Sequence, residues 1–240
     1  MNRLREIFNE AKSDKWFQNF AVFCRITLAA SFLPTGYVKI MGQRFAEGLS
    51  HNNPLGSYFD ALLATGYYYT FIGITQVAIA ILVLIPRTAL LGTLMYFCMI
   101  VNISVLTYAT RFHGTRLVTI MVLACLYLLI WDYDRIKHIL PFRQPHPAPQ
   151  VIRRPLGKRL RILFFGGCIA ALAVIIIGTS YLYEIVPGDS EEEARSQCLT
   201  SKNPEACEAF CDCIYKQGQP LDICLAAFNK ADDMRRSDVK

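Results

Sequence analysis

Five apolar stretches, at residues 17–40, 67–86, 88–109, 116–131 and 160–183, constrain this chain more than any other feature. Each approaches the roughly 20 residues that a helix needs to cross the ~30 Å hydrocarbon core of a bilayer. That core offers no water to backbone N–H and C=O groups, so a helix must satisfy them internally. The expected fold is an all-α membrane protein. It comprises a four-helix transmembrane bundle, a fifth transmembrane helix and a small disulfide-stapled helical tail.

The charges between the stretches predict an orientation. Arg3, Arg5, Lys12 and Lys15 precede the first, and Arg87 sits between the second and third. Arg135, Lys137, Arg143, Arg153, Arg154, Lys158, Arg159 and Arg161 lie between the fourth and fifth. The opposite loops carry Lys39, Arg44, Arg111 and Arg116. Cytoplasmic loops hold the basic excess. The expectation is a multi-pass protein of the bacterial inner membrane, with a cytoplasmic N-terminus and a periplasmic C-terminus. The net charge of +6 is then charge of topology and lipid contact, which argues against nucleic acid. Membrane lipid and the proteins of a membrane complex are the expected partners. The first stretch is long, contains Arg25 and has no small-residue cleavage site, unlike a signal peptide.

Five modules follow from composition. Residues 1–15 read as an amphipathic lead-in, with Leu4, Ile7, Phe8 and Ala11 on one face. Residues 16–138 form the four-helix body. Residues 139–158 are a Pro-rich, basic linker, 159–187 the fifth span and 188–240 a cysteine-rich module. Within the body, Pro34 should kink or loosen the end of the first helix. A short helix at 55–64 follows Asn52-Asn53-Pro54 in the outer loop. The tight turn Ile85-Pro86-Arg87-Thr88 makes the second and third spans antiparallel neighbours. The fifth span reads as a separate tether, with Gly166, Gly167 and Gly178 as close-packing positions. In the tail, Ser190 with Glu193 is a capping box and Asn203-Pro204 a second helix start. Gly218 and Pro220 separate that helix from a third.

The polar residues inside the spans are the candidate ligand-binding residues: Arg25, Gln76, Lys39 and Asn102. Arg25 lies ~12 Å along the first span, near the midplane. An unpaired guanidinium there costs at least about 2.5–3.5 kcal/mol, so it should face the bundle or snorkel inward. Gln76 is expected at a similar depth, within hydrogen-bond reach. Together they make either a buried site for an anionic or quinone-like ligand or an interhelical bond that fixes the bundle. Lys39 and Asn102 either line an outward-facing pocket, or Lys39 snorkels to the interface while Asn102 bonds a neighbouring helix. His51 and His113 sit on different loops without ligand spacing, so no metal site is expected of them. The spans carry no paired histidines for b-type haem. Quinone is the cofactor left open, and no catalytic residue is assigned.

Cys24, Cys98, Cys125 and Cys168 lie in the spans and read as small packing residues. Five more lie in the tail: Cys198, Cys207, Cys211, Cys213 and Cys224. Cys198 and Cys207 flank the turn at 201–203, and Cys213 and Cys224 flank Gly218. Disulfides across those turns would staple a small module with little core of its own, leaving Cys211 odd. Cys198–Cys211 with Cys207–Cys224 is the rival pairing, because Cys207 and Cys211 share a helix face. Zinc held by four of the tail cysteines is a lesser alternative.

Residues 21–137 resemble the DoxX family of small bacterial membrane proteins. The resemblance rests on Arg25, Phe32 and Gly36-Tyr37-Val38-Lys39, then Phe71-Ile72-Gly73-Ile74-Thr75-Gln76. It continues through Leu84-Ile85-Pro86-Arg87-Thr88-Ala89 to Trp131-Asp132-Tyr133-Asp134-Arg135. Gln76 stands where a common family pattern has Glu. The resemblance implies a four-helix membrane body, with some members linked to thiosulfate–quinone oxidoreduction or thiol stress. Three functions are therefore expected candidates. One is an accessory subunit of a membrane complex tied to redox or sulfur metabolism. Another is a quinone-binding oxidoreductase subunit. The third is a scaffold whose disulfide tail docks an exported partner.

Overall fold

The computed structural model describes residues 8, 10–139 and 158–238. Most of the linker and half of the lead-in therefore lie outside the described residues. Among the described residues the secondary structure is helical, with no strand. The membrane body comprises α1 (Lys15–Ile40), α2 (Pro54–Ala64), α3 (Tyr67–Leu84), α4 (Ala89–Ala109), α5 (Thr115–Trp131) and the short α6 (Tyr133–Ile139). Then come α7 (Lys158–Tyr181), α8 (Glu191–Ser196), a 3₁₀ turn (Gln197–Thr200), α9 (Pro204–Tyr215) and α10 (Leu221–Asp238). The helices α1, α3, α4 and α7 are each long and apolar enough to cross a membrane. The apolar α5 has 17 residues, about 26 Å of helix, at the lower end of what spans a bilayer.

Local chemistry sets the helix ends. Asp14 caps α1 by accepting from the Trp16 N–H at 2.9 Å. Asn53 caps α2 by accepting from Leu55 and Gly56, with Pro54 in the first turn. Ser190 Oγ accepts from the Glu193 N–H, and the Glu193 carboxylate accepts from the Asp189 N–H. That is the reciprocal pattern of a capping box, displaced by one residue. Helix α1 runs unbroken through Pro34 to Ile40.

Close backbone approach ties the body together. A Cβ on Gly36 would lie 2.8 Å from Gly73 O, and one on Gly73 would lie 2.7 Å from Gly36 O. Helices α1 and α3 thus cross with their backbones touching, as small residues permit in lipid. Gly92 brings α4 equally close to Val83 N of α3, at 2.6 Å. Leu28, Phe32, Ile79, Val83, Ile100 and Leu128 fill the space between the helices. Phe32 stacks on Tyr96 at 3.9 Å, and the Tyr96 hydroxyl meets Ser31 Oγ at 2.8 Å.

The last spanning helix, α7, is joined to the body near its first turns. Phe164 packs on Phe17 at 4.7 Å, and Phe20 and Tyr127 complete the aromatic cluster. Arg161 pairs with Asp14 at 2.6 Å. Within this chain Gly166, Gly167 and Gly178 meet nothing within 4 Å of an added Cβ. The close packing expected of them does not occur within this chain. The start of α1, Asp132, Asp134 and the start of α7 share one end of the molecule. The loops 41–66 and 110–114 share the other end with the tail.

Candidate functional site

Arg25 does not meet Gln76. Its Nη2 donates to Asp132 Oδ2 at 3.2 Å, where α5 ends, with both side chains largely buried. Arg135 lies 3.7 Å from the other Asp132 oxygen. The geometry has a simple cause. Helical side chains lean toward the N-terminus, so the guanidinium reaches back toward the start of α1. Gln76 packs at Gly36 instead, its Cβ 3.1 Å from where a glycine Cβ would stand. Gly36 is ~16 Å further along α1 than Arg25 at ~1.5 Å per residue. Only one buried polar atom of Arg25, Nε, lacks a partner.

Lys39 and Gln76 both lie at the α1–α3 crossing, each against a glycine of the facing helix. A Cβ on Gly73 would lie 2.8 Å from Lys39 Cβ. Lys39 is 5% exposed, so it does not snorkel. Its Nζ donates to Thr35 O at 3.2 Å and sits 4.0 Å from the centre of the Phe45 ring, a cation–π contact. Gln76 is 4% exposed, and its Oε1 has no hydrogen-bond partner. Asn102 is elsewhere. It is exposed on the outer face of α4, whereas Lys39 is buried at the α1–α3 crossing.

A second polar constellation joins the tail to the body, and sequence reasoning missed it. Asn53 Nδ2 donates to Gly188 O at 2.5 Å while its Oδ1 caps α2. Asn52 Nδ2 donates to Tyr215 O at 2.7 Å. The Tyr215 hydroxyl donates to Pro187 O at 2.5 Å, and burial pushes its phenol up to about 12. Arg111 donates to Ile185 O at 3.1 Å and lies over the Tyr183 ring. Arg44 orders the loop beneath, bonding Asp60 at 2.5 Å and Leu49 O at 2.7 Å. That bond holds the Asp60 carboxyl below the usual range, aided by His51. A shallow groove runs along the seam, lined by Asn53, Arg111, His113 and Asp189 among others. Asp189 faces His113 at 4.0 Å, and burial, then Glu193, push its carboxyl up. The only hint of this seam in the sequence is the Asn52-Asn53 pair, whose second carboxamide has more hydrogen-bonding capacity than a helix cap uses.

In the tail, disulfides join Cys198 to Cys207 and Cys213 to Cys224. Arg195 clamps α8 to α9 through Asp212. Phe210, Ile214 and Phe228 complete a small core. Cys211 is a free, buried thiol whose Sγ lies 3.9 Å from Cys198 Sγ. Three sulfurs, of Cys198, Cys207 and Cys211, lie within 4.8 Å of one another. With two of them bridged, only Cys211 retains a thiol, and burial pushes that thiol up. The set offers no thiolate cage while the bridge stands.

The chain is 35% identical over 136 residues to the uncharacterized protein YwoB of Bacillus subtilis (strain 168). The match covers 87% of YwoB and 54% of this chain. This chain belongs to the YwoB family. No family model matches it, and no solved structure matches it. YwoB accounts for about half of the chain, so this member of the YwoB family carries a large additional portion beyond the match.

Proposed function

We propose that this chain is a DoxX-like accessory subunit of a bacterial inner-membrane complex linked to redox or sulfur metabolism. Its N-terminus is cytoplasmic, and its disulfide-bridged tail is a periplasmic cap that presents a docking face to an exported partner. The carrying observation is the Arg25–Asp132 pair. The intramembrane cation is already neutralised by the protein, so it is not held in reserve for an anionic ligand or substrate. The tail supports the same reading. It is fastened to the outer loops at several points rather than hung on a free tether.

Purification in mild detergent, with mass spectrometry of proteins and bound lipids, tests the reading. A stoichiometric protein partner and no quinone are expected. A tightly bound quinone that disappears on Gln76→Leu would replace this reading with a quinone-binding oxidoreductase subunit. One observation favours that second reading: the buried Gln76 Oε1 has no hydrogen-bond partner. Orientation is tested with a reporter active only in the periplasm. It should be silent after Lys137 and active after Gly188, and the reverse result overturns the compartment assignment.

A further inference from the structure

Helix α4 carries a second ordered face that the four-helix body does not use. Its buried side is Gly92, Thr93, Tyr96, Ile100 and Thr107, packed inside the bundle. Its opposite side exposes Leu91, Met95, Cys98, Asn102, Val105 and Ala109. These residues step by four and three alternately, the seven-residue repeat that winds two helices into a left-handed pair. Helix α7 does not cover them, since its aromatic contacts are with α1 and α5.

One residue distinguishes this stripe from ordinary lipid-facing surface. Asn102 stands ~10 Å from the Ala109 end of α4 and ~20 Å from the Ala89 end, at ~1.5 Å per residue. It is exposed and makes no hydrogen bond with another described residue. Hydrocarbon cannot satisfy a carboxamide, so a partner for it is strongly favoured. A carboxamide both donates and accepts, which makes it complementary to a copy of itself. Copies of one chain insert with the same orientation, so two of them are related by a twofold axis along the membrane normal. That operation sets α4 parallel to its counterpart, with each residue of the stripe opposite itself. A single Asn in such a seam fixes its register.

We propose that two copies of this chain pair through α4, with Asn102 hydrogen-bonded to its counterpart and Cys98 facing its counterpart one turn away. This inference does not depend on the proposed complex or on which side of the membrane is cytoplasmic.

Cys98 is a native reporter for the arrangement. It is exposed, whereas Cys24 and Cys125 are buried and Cys168 lies on α7. The full-length Cys168→Ala chain, in its own membranes, is treated with copper phenanthroline and run without reducing agent. A band of twice the chain mass is expected, absent in Cys98→Ala. Ile130→Cys in a Cys98→Ala, Cys168→Ala chain places a thiol on the exposed face of α5 and should cross-link far more slowly. Asn102→Leu should weaken dimerisation about three- to twentyfold in detergent dilution, the range for interhelical hydrogen bonds in membranes. Asn102→Gln should restore part of it. No Cys98-dependent dimer, a cross-link to a protein of another mass, equal cross-linking from residue 130, or an unchanged affinity in Asn102→Leu would each overturn the proposal.

Discussion

Arg25 shows how a membrane protein disposes of an intramembrane charge. Its guanidinium meets Asp132 at 3.2 Å with little exposure on either side. Removing one member of a buried pair leaves the other uncompensated, which typically costs about 3–5 kcal/mol. Arg25→Leu should therefore lower detergent melting sharply, whereas the double variant Arg25→Leu, Asp132→Leu should recover much of the loss. A double variant no better than the single one would mean that the pair does not act as a unit. Tyr215 makes a second residue-scale prediction. A phenol in the unfolded chain ionises near pH ~10, and burial raises the folded value to about 12. The seam keeps this contribution below pH ~10 and loses it as pH climbs from there toward 12. Proteolysis at the seam should rise over that window and stay flat there in Tyr215→Phe. Local signals were legible in the sequence: Asn53, Ser190 and Asn203 cap helices because their partners lie two or three residues away. The Arg25 partner was not legible by counting depth, because it lies 107 residues away. The N-terminal lean of helical side chains, aimed at the acidic end of span four, is the signal that would have found it.

At the scale of elements, the glycines divide into two kinds that composition cannot tell apart. Gly36, Gly73 and Gly92 sit where backbones touch, while Gly166 and Gly167 face open space. Gly73→Val should push α1 and α3 apart and cost about 1–3 kcal/mol through overpacking. Gly167→Ala meets nothing and should leave the melting point unchanged or slightly raised. Equal effects from the two, measured by detergent melting, would refute the assigned crossing. The short α6 was not readable from length and hydropathy, whereas the order of the long apolar helices was. Their faces were not, because a helix that is apolar all round has no polar side to reveal its rotation. Hence Asn102, read as lining a pocket or bonding a neighbouring helix, stands outward, and Lys39, read as lining that pocket or snorkelling to the interface, is buried.

The whole molecule is a membrane body with a cross-linked cap. Each bridge closes a short loop, with sequence separations of 9 and 11, so each should stabilise the cap by roughly 2–3 kcal/mol. Cys213→Ser should lower cap stability by that amount without altering the body's α1–α3 contacts, as read by hydrogen exchange. Peptide mapping of unreduced protein should recover both bridges and Cys211 as the tail's alkylated thiol after denaturation. Alkylation of all five tail thiols would reject the pairing. The bridges were legible because each spans one turn. The docking of the cap was not, since its hydrogen bonds join residues 135 and 163 apart.

That separation gives the seam a place in time. Asn53 leaves the ribosome 135 residues before Gly188, an interval of roughly 7–27 s at ~5–20 residues per second. Throughout it, the Asn53 Nδ2 lacks its Gly188 partner. A chain cut short before Gly188 would insert its body and then wait with the outer loop unclasped. Asn53 is thus a latch that can close only once synthesis has passed Gly188.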